Sequence, residues 1–173
     1  MKGYSMISLI TKSLKFARYM AKCVLIAAVF ILILQTLFIA GGLKVWKISG
    51  VSMMPTLSDG SHSLTCSYTP INRGDIVTVR SPIKDGEYWV KRVIGIPGDR
   101  IFISGNYLEV NGEPDLISQK FKYSSIDIQN ETNIMLLDGE YFIAGDNRRL
   151  SYDSRYVGPV KEDSIVGEQL LNF

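Results

Sequence analysis

Three features of this sequence can do chemistry: a serine between glycine and proline, a lysine inside an apolar run, and a cluster of small polar and charged groups near the C-terminus. The serine is Ser52, in Gly50-Val51-Ser52-Met53-Met54-Pro55-Thr56. Glycine lets the backbone approach a bound group closely and proline stiffens the chain just beyond, so the Ser52 hydroxyl and amide can be held in one orientation, as attack on a carbonyl requires. Serines beside Gly and Pro are also ordinary turn residues, so Ser52 needs a base before it carries chemistry.

Lys91 can supply one. On a strand over 88–94 the side chains alternate, which puts Trp89, Lys91 and Val93 on one face and Tyr88, Val90, Arg92 and Ile94 on the other. Holding an ammonium beside an aromatic and a β-branched residue costs free energy; its pKa falls and a neutral amine becomes available as a general base. The competing reading is an edge-strand lysine that snorkels to water. The third feature runs from Gly145-Asp146-Asn147-Arg148 through Ser151, Asp153, Ser154 and Arg155. Ser151 can accept a hydrogen bond from an ammonium, and Asp153 can pair with either Arg155 or Arg92. A solvated loop has the same composition. A rival nucleophile and base, Cys66 and His62, lie four residues apart with no third group to orient the imidazole. One His and two distant Cys offer no metal site, and no motif calls for a cofactor.

These residues must be positioned by a chain of 173 residues, room for one membrane anchor and one compact domain. Residues 23–43 are apolar with only Gln35 and Thr36 as polar interruptions. As a helix they span roughly 30 Å, the hydrocarbon thickness of a bilayer. The run is too long for a cleaved signal peptide and lacks small residues at both positions of a cleavage site in Phe38-Ile39-Ala40. Lys2, Lys12, Lys15, Arg18 and Lys22 precede it and no acid does. The positive-inside bias therefore predicts a cytoplasmic N-terminus (1–22), a transmembrane helix (23–43) and an extracytoplasmic domain (44–173), with Trp46 at the interface. Removing those five bases leaves 14 against 17 acids, which is not a nucleic-acid-binding balance.

After Thr56, short runs rich in Val, Ile, Tyr and Phe, punctuated by Gly, Pro, Asn and Asp, predict a mainly β domain. Strands are expected at 63–68, 76–80, 88–94, 100–103, 107–110, 141–144 and 165–171. Asn111-Gly112 predicts a tight turn, Gly-Asp pairs at Gly74, Gly98 and Gly145 predict further turns, and 113–133 reads as a loop or loosely packed hairpin.

The segments Gly50-Val51-Ser52-Met53-Met54-Pro55-Thr56-Leu57, Arg73-Gly74-Asp75-Ile76-Val77, Lys91-Arg92-Val93-Ile94-Gly95-Ile96-Pro97-Gly98-Asp99 and Gly145-Asp146-Asn147-Arg148 with Ser151, Asp153, Ser154 and Arg155 together resemble the bacterial type I signal peptidases, in the family's order and over nearly the whole domain. The resemblance implies Ser52 as nucleophile, Lys91 as general base, Ser151 orienting the Lys91 amine, and Asp153, Arg155 and Arg92 supporting the site. It implies coiled antiparallel β-sheets, no cofactor, and removal of signal peptides from exported preproteins after a small-x-small pattern at the outer membrane face. By motif position Ile48, Met53, Trp89 and Val90 are expected to wall the pockets for the substrate side chains nearest the cut. The chain departs from the pattern in two places. Gly50 stands where some members carry a serine that donates to the oxyanion, leaving the Ser52 amide as the donor. Gly60-Ser61 stands where Gly-Asp is usual. A non-catalytic assembly factor on the same fold, or a peptidase dedicated to one substrate such as a pilin, are the alternatives.

Overall fold

The computed structural model describes residues 3–40, 42–104, 107–115 and 131–173. The chain divides into two compact units, Met1–Gly41 and Gly42–Phe173.

The first is one helix, α1 (Gly3–Ile39). Val24, Leu25 and Ile26 are consecutive and all exposed, as are Val29 to Leu34. Consecutive residues point about 100° apart on a helix, so no side of this segment is polar and water cannot solvate it; a bilayer can. The stretch Ser8–Phe38 is long and apolar enough to cross a membrane, with a mean hydropathy of 2.4 over its most apolar window. The helix ends before the expected boundary. Leu43, counted into the apolar span from hydropathy, opens the first strand, because hydropathy alone cannot separate the end of a helix from an apolar strand that follows it.

The second unit is mainly β and antiparallel throughout. Among the described residues, β1 (Leu43–Lys47), β2 (His62–Cys66), β3 (Ile76–Arg80), β4 (Tyr88–Gly95), β5 (Arg100–Ser104), β6 (Tyr107–Val110), β7 (Glu113–Pro114), β8 (Thr132–Met135), β9 (Glu140–Ala144), β10 (Val160–Lys161) and β11 (Ile165–Asn172) form two sheets. Seven strands run in the order β1-β2-β11-β3-β4-β9-β10, and four in the order β7-β6-β5-β8. A four-residue helix, α2 (Ser154–Val157), separates β9 from β10.

Alternation along the two central strands builds two cores. From β9, Tyr141 and Ile143 join Val77, Val79, Trp89, Val93 and Val160 in one cluster. Phe142 and Ala144 point the other way, into Ile94, Ile101, Ile103, Leu108, Val110 and Leu136, which binds the smaller sheet to the larger. With Tyr141 to Ala144 all buried, β9 reads as a continuous apolar run. Asn111 and Gly112 have φ of +56° and +84°, the left-handed pair that a two-residue hairpin between β6 and β7 needs. Of the loop or loosely packed hairpin expected over 113–133, the two described ends belong to strands of the small sheet, Glu113–Pro114 and Thr132–Met135; residues 116–130 lie outside the described residues.

A third, smaller cluster of Ile48, Met53 and Leu57, with Ile76 and Val90 packed against it, anchors the segment between β1 and β2 on the sheet. That segment carries Ser52.

Candidate active site

The Ser52 segment is tied down along its length. Ile48 N–H donates to the Ser61 carbonyl and Gly60 N–H to the Ile48 carbonyl, closing the base of the loop at 2.8 and 2.9 Å. Gly50 N–H donates to Asp59 Oδ1 at 2.8 Å. Gly50 is a glycine for its φ of +96°, not for close approach, since a Cβ there would meet nothing within 4 Å. Met53 is buried beside Ile48, fixing the residue after the serine. Ser61, in the position where the family pattern has aspartate, donates its hydroxyl to the Ser58 carbonyl within the turn.

From the other side comes the loop after β9. Asn147 N–H donates to the Ser52 carbonyl at 2.9 Å, and its side-chain amide to the Val51 carbonyl at 3.1 Å. Gly145 makes this approach possible. A Cβ on it would stand 2.6 Å from Ser151 Cβ, and nearer still to Ser151 Oγ and the Ser52 carbonyl oxygen. The Gly-Asp signal at 145 therefore marks a close contact between two strands of chain, unlike Gly74 and Gly98, which are turn glycines with positive φ.

Lys91 comes up from β4, paired in register with Val77 of β3 and buried on the face it shares with Trp89 and Val93. Its Nζ lies 2.8 Å from Ser52 Oγ and 5.8 Å from the centre of the Trp89 ring. Burial pushes its pKa down to about 8; the Asp153 carboxylate draws it partly back and the Arg155 charge lowers it further. The snorkelling alternative fails because the side chain is only 5% exposed.

Asp153 chooses between its two possible partners. Arg155 grips it with two parallel bonds, Nε to Oδ1 and Nη2 to Oδ2, each 2.8 Å. Ser151 Oγ and Gly145 N–H donate to Oδ2 at 2.6 and 2.9 Å. Burial alone would raise this carboxyl, but the bonds and charge of Arg155, with those two donors, outweigh it and hold the group below the usual carboxylate range. Asp153 also caps α2, whose Ser154 hydroxyl accepts from Ile143 N–H and ties the helix to β9.

Two of the supporting residues have partners of their own. Arg92 does not reach Asp153; it sits on the opposite face of β4 from Lys91 and makes a bidentate pair with Asp146, at 2.8 and 2.6 Å, with Thr56 Oγ1 donating to the same carboxylate at 2.5 Å. Among the described residues Ser151 makes no hydrogen bond to Lys91. Its proton goes to the Asp153 carboxylate, which leaves its oxygen lone pairs able to accept.

Ser52 and Lys91 share a cavity of about 170 Å³ with Ile48, Met53, Trp89 and Val90, the four residues expected to wall it, and with Trp46, Lys47, Ser49, Thr78, Glu87 and Tyr88. The cavity runs beside an open sheet edge. β9 pairs with β4 from Arg92 onward, so Tyr88 to Lys91 are laddered on the β3 side alone among the described residues. The sequence marks Gly145, Asp146 and Asn147 as part of a polar stretch without assigning any of them a partner, and Thr78, which also lines the cavity, carries no motif. A threonine alternating with valines in 76–80 was the visible signal for Thr78; the others needed the loop's path. The rival pair separates: the His62 ring stacks on Phe173, and Cys66 is at the far end of the same strand, about 13 Å along it.

A hydroxyl held against a buried amine, beside the unpaired edge of an antiparallel sheet, places the chain among β-rich serine hydrolases. The chain belongs to the signal peptidases: the family model described as signal peptidase, peptidase S26, matches residues 17–173. It is similar to signal peptidase I V of Bacillus subtilis (strain 168), 36% identical over 137 residues that cover 70% of this chain and 80% of the relative. Signal peptidase IB of Staphylococcus aureus is 34% identical over 158 residues, covering 79% and 82%. A crystal structure of a signal peptidase I from Enterococcus faecalis V583 superposes with a TM-score of 0.47 at 30% identity, over 58% of this chain and 97% of that one. The family is membrane-anchored, in keeping with the one described helix able to span a bilayer.

Proposed function

We propose that this signal peptidase cuts preproteins with Ser52 as nucleophile and Lys91 as general base, from a domain held at the outer face of the membrane. The observation that carries the reading is the 2.8 Å contact between Ser52 Oγ and an amine that burial makes easy to deprotonate. Once neutral, Lys91 Nζ accepts the Ser52 proton as Oγ bonds to the scissile carbonyl carbon. The Ser52 backbone N–H, which donates to no protein group among the described residues, is free to bond the oxyanion. The protonated amine then returns its proton to the leaving nitrogen, and the same base activates the water that hydrolyses the acyl ester. Asp153, locked by Arg155, and Ser151 hold the charge and shape around the amine; Arg92 and Asp146 hold the loop from below.

The substrate adds as an extended strand along Tyr88 to Lys91, where main-chain groups lack a partner strand, and its side chains nearest the cut enter the cavity walled by Ile48, Met53, Trp89 and Val90. A non-catalytic role would leave a lysine buried against a serine without purpose, at a cost in stability.

Purified in detergent, the protein should convert signal-bearing precursors to mature forms. Ser52→Ala should fold and insert in the membrane normally while cleaving at background rate. Normal cleavage by that variant would remove Ser52 from the mechanism.

A further inference from the structure

Ahead of its uncharged apolar stretch, α1 has two unlike sides. At about 100° per residue, Lys12, Lys15, Arg18 and Lys22 fall within about 120° of the helix circumference. Met6, Leu9, Ile10, Leu14, Phe16 and Met20 fall within about 160° on the other side, and all are exposed. From Val24 onward the division is lost, because apolar side chains there point in every direction. The helix is also longer than the layer it crosses. Ser8–Phe38 has 31 residues, about 46 Å of helix against a hydrocarbon core of roughly 30 Å. Standing upright, it would hold those six apolar side chains in water, beside bases that cannot enter the hydrocarbon. Leaning over, through tilt of the span and the gentle curvature of a long helix, it sets the apolar side at the boundary of headgroups and acyl chains and the bases among the headgroups.

We propose that residues 6–22 of α1 form an interfacial helix that rests on the membrane surface by its apolar side and binds anionic phospholipid through Lys12, Lys15, Arg18 and Lys22. Charge complementarity chooses the occupant. Four bases with no acid anywhere in α1 match a surface of anionic headgroups. Their long stems reach back to the headgroups from a helix that lies on its opposite side. A partner helix would cover the apolar side but would leave the basic stripe unused, and a second copy of the chain would bring four more bases alongside the first four. The contact involves no group of the peptidase site.

The test places a nitroxide label on one cysteine at a time, in the full-length protein carrying Cys23→Ser and Cys66→Ser, held as single copies in lipid nanodiscs. Ser13→Cys and Ala17→Cys report on the apolar side, Ser8→Cys and Thr11→Cys on the basic side. In discs of three parts phosphatidylcholine to one part phosphatidylglycerol, collisions with an aqueous nickel chelate should be about five-fold rarer at the first pair than at the second. In phosphatidylcholine alone, or at high salt, that contrast should fall by about half or more. Equal collision rates at all four positions in the anionic discs would mean that the segment stands in water, and would overturn the proposal. A contrast that neither lipid charge nor salt moves would overturn it too, since the bases would then bind nothing. Shielding of the first pair in concentrated detergent solution but not in single-copy discs would give the apolar side to a second copy of the chain, with the same consequence. Two positions on each side keep the comparison decisive should one variant fail to insert.

Discussion

With Lys91 as the proposed base, the conflict between stability and chemistry is concentrated in one residue. In the unfolded chain it holds its proton up to about 10.5, in the folded protein only to about 8. Between those values the unfolded state binds more protons, so raising the pH favours the folded state there; below about 8 both states are protonated and the full penalty of the buried ammonium remains. The difference corresponds to about 3 kcal/mol at neutral pH. Lys91→Met, which fills the site without a charge, should therefore abolish cleavage and raise the melting temperature at pH 7, and it should lack the gain in stability between pH 8 and 10 that wild type shows. Activity of the wild type should climb with pH through about 8 as the amine becomes neutral. Calorimetry of the two forms across that range, beside a pH–rate profile, measures both; an equal or lower melting temperature for Lys91→Met would mean the ammonium is better compensated than its neighbours suggest.

At the scale of elements, what could be read from the sequence divides by position in the sheet. The seven strands expected from periodicity are β2, β3, β4, β5, β6, β9 and β11, the interior strands of the two sheets; β1, β10, β7 and β8, the edges, were all missed. An interior strand is bounded by neighbours on both sides and carries the Val, Ile and Phe that make alternation visible. An edge strand is short or charged, as Leu43–Lys47 with its two lysines and Val160–Lys161 with two residues are, because exposed edges must be blunted. The site follows the same division. Ser52 and Lys91 are flagged by their local surroundings, but the partner of Arg92 is set by the path of a loop that no periodicity describes. Asp146 is that partner, and through Arg92 and Thr56 it joins β4, the loop after β9 and the Ser52 segment. Asp146→Asn keeps the shape but leaves the guanidinium short of a counter-charge; with Arg92's side chain 19% exposed, we expect a loss of about 2–3 kcal/mol in urea unfolding, below the range for a fully buried pair. Cleavage should fall through kcat more than KM, because the open edge of β4 proposed to hold substrate stays in place while Asn147 and the Ser52 carbonyl shift. Unchanged stability would show that Thr56 and the backbone hold the loop without the ion pair.

For the whole molecule the organising fact is the separation of charge along the chain. Five bases and no acid lie up to residue 22, an uncharged apolar helical stretch follows, and every acid comes after residue 58. Basic flanks are retained on the cytoplasmic side and the domain that follows one span is carried across, so Ser52 and Lys91 are expected outside, where the cleavage site of an exported chain emerges. Ser52 follows the end of α1 by only a dozen or so residues, a tether of at most roughly 45 Å. Protease added to intact cells, their wall removed, should digest the domain while leaving a tag fused before Met1 protected, and rupture of the membrane should then expose the tag. Neutralising Lys12, Lys15, Arg18 and Lys22 together, with Lys44 and Lys47 kept, should send a fraction of the molecules in the reverse orientation and lower processing of exported precursors in proportion. Digestion of the wild-type domain only after rupture would reverse the topology and leave a peptidase facing the cytoplasm, away from the substrates its site is built to cut.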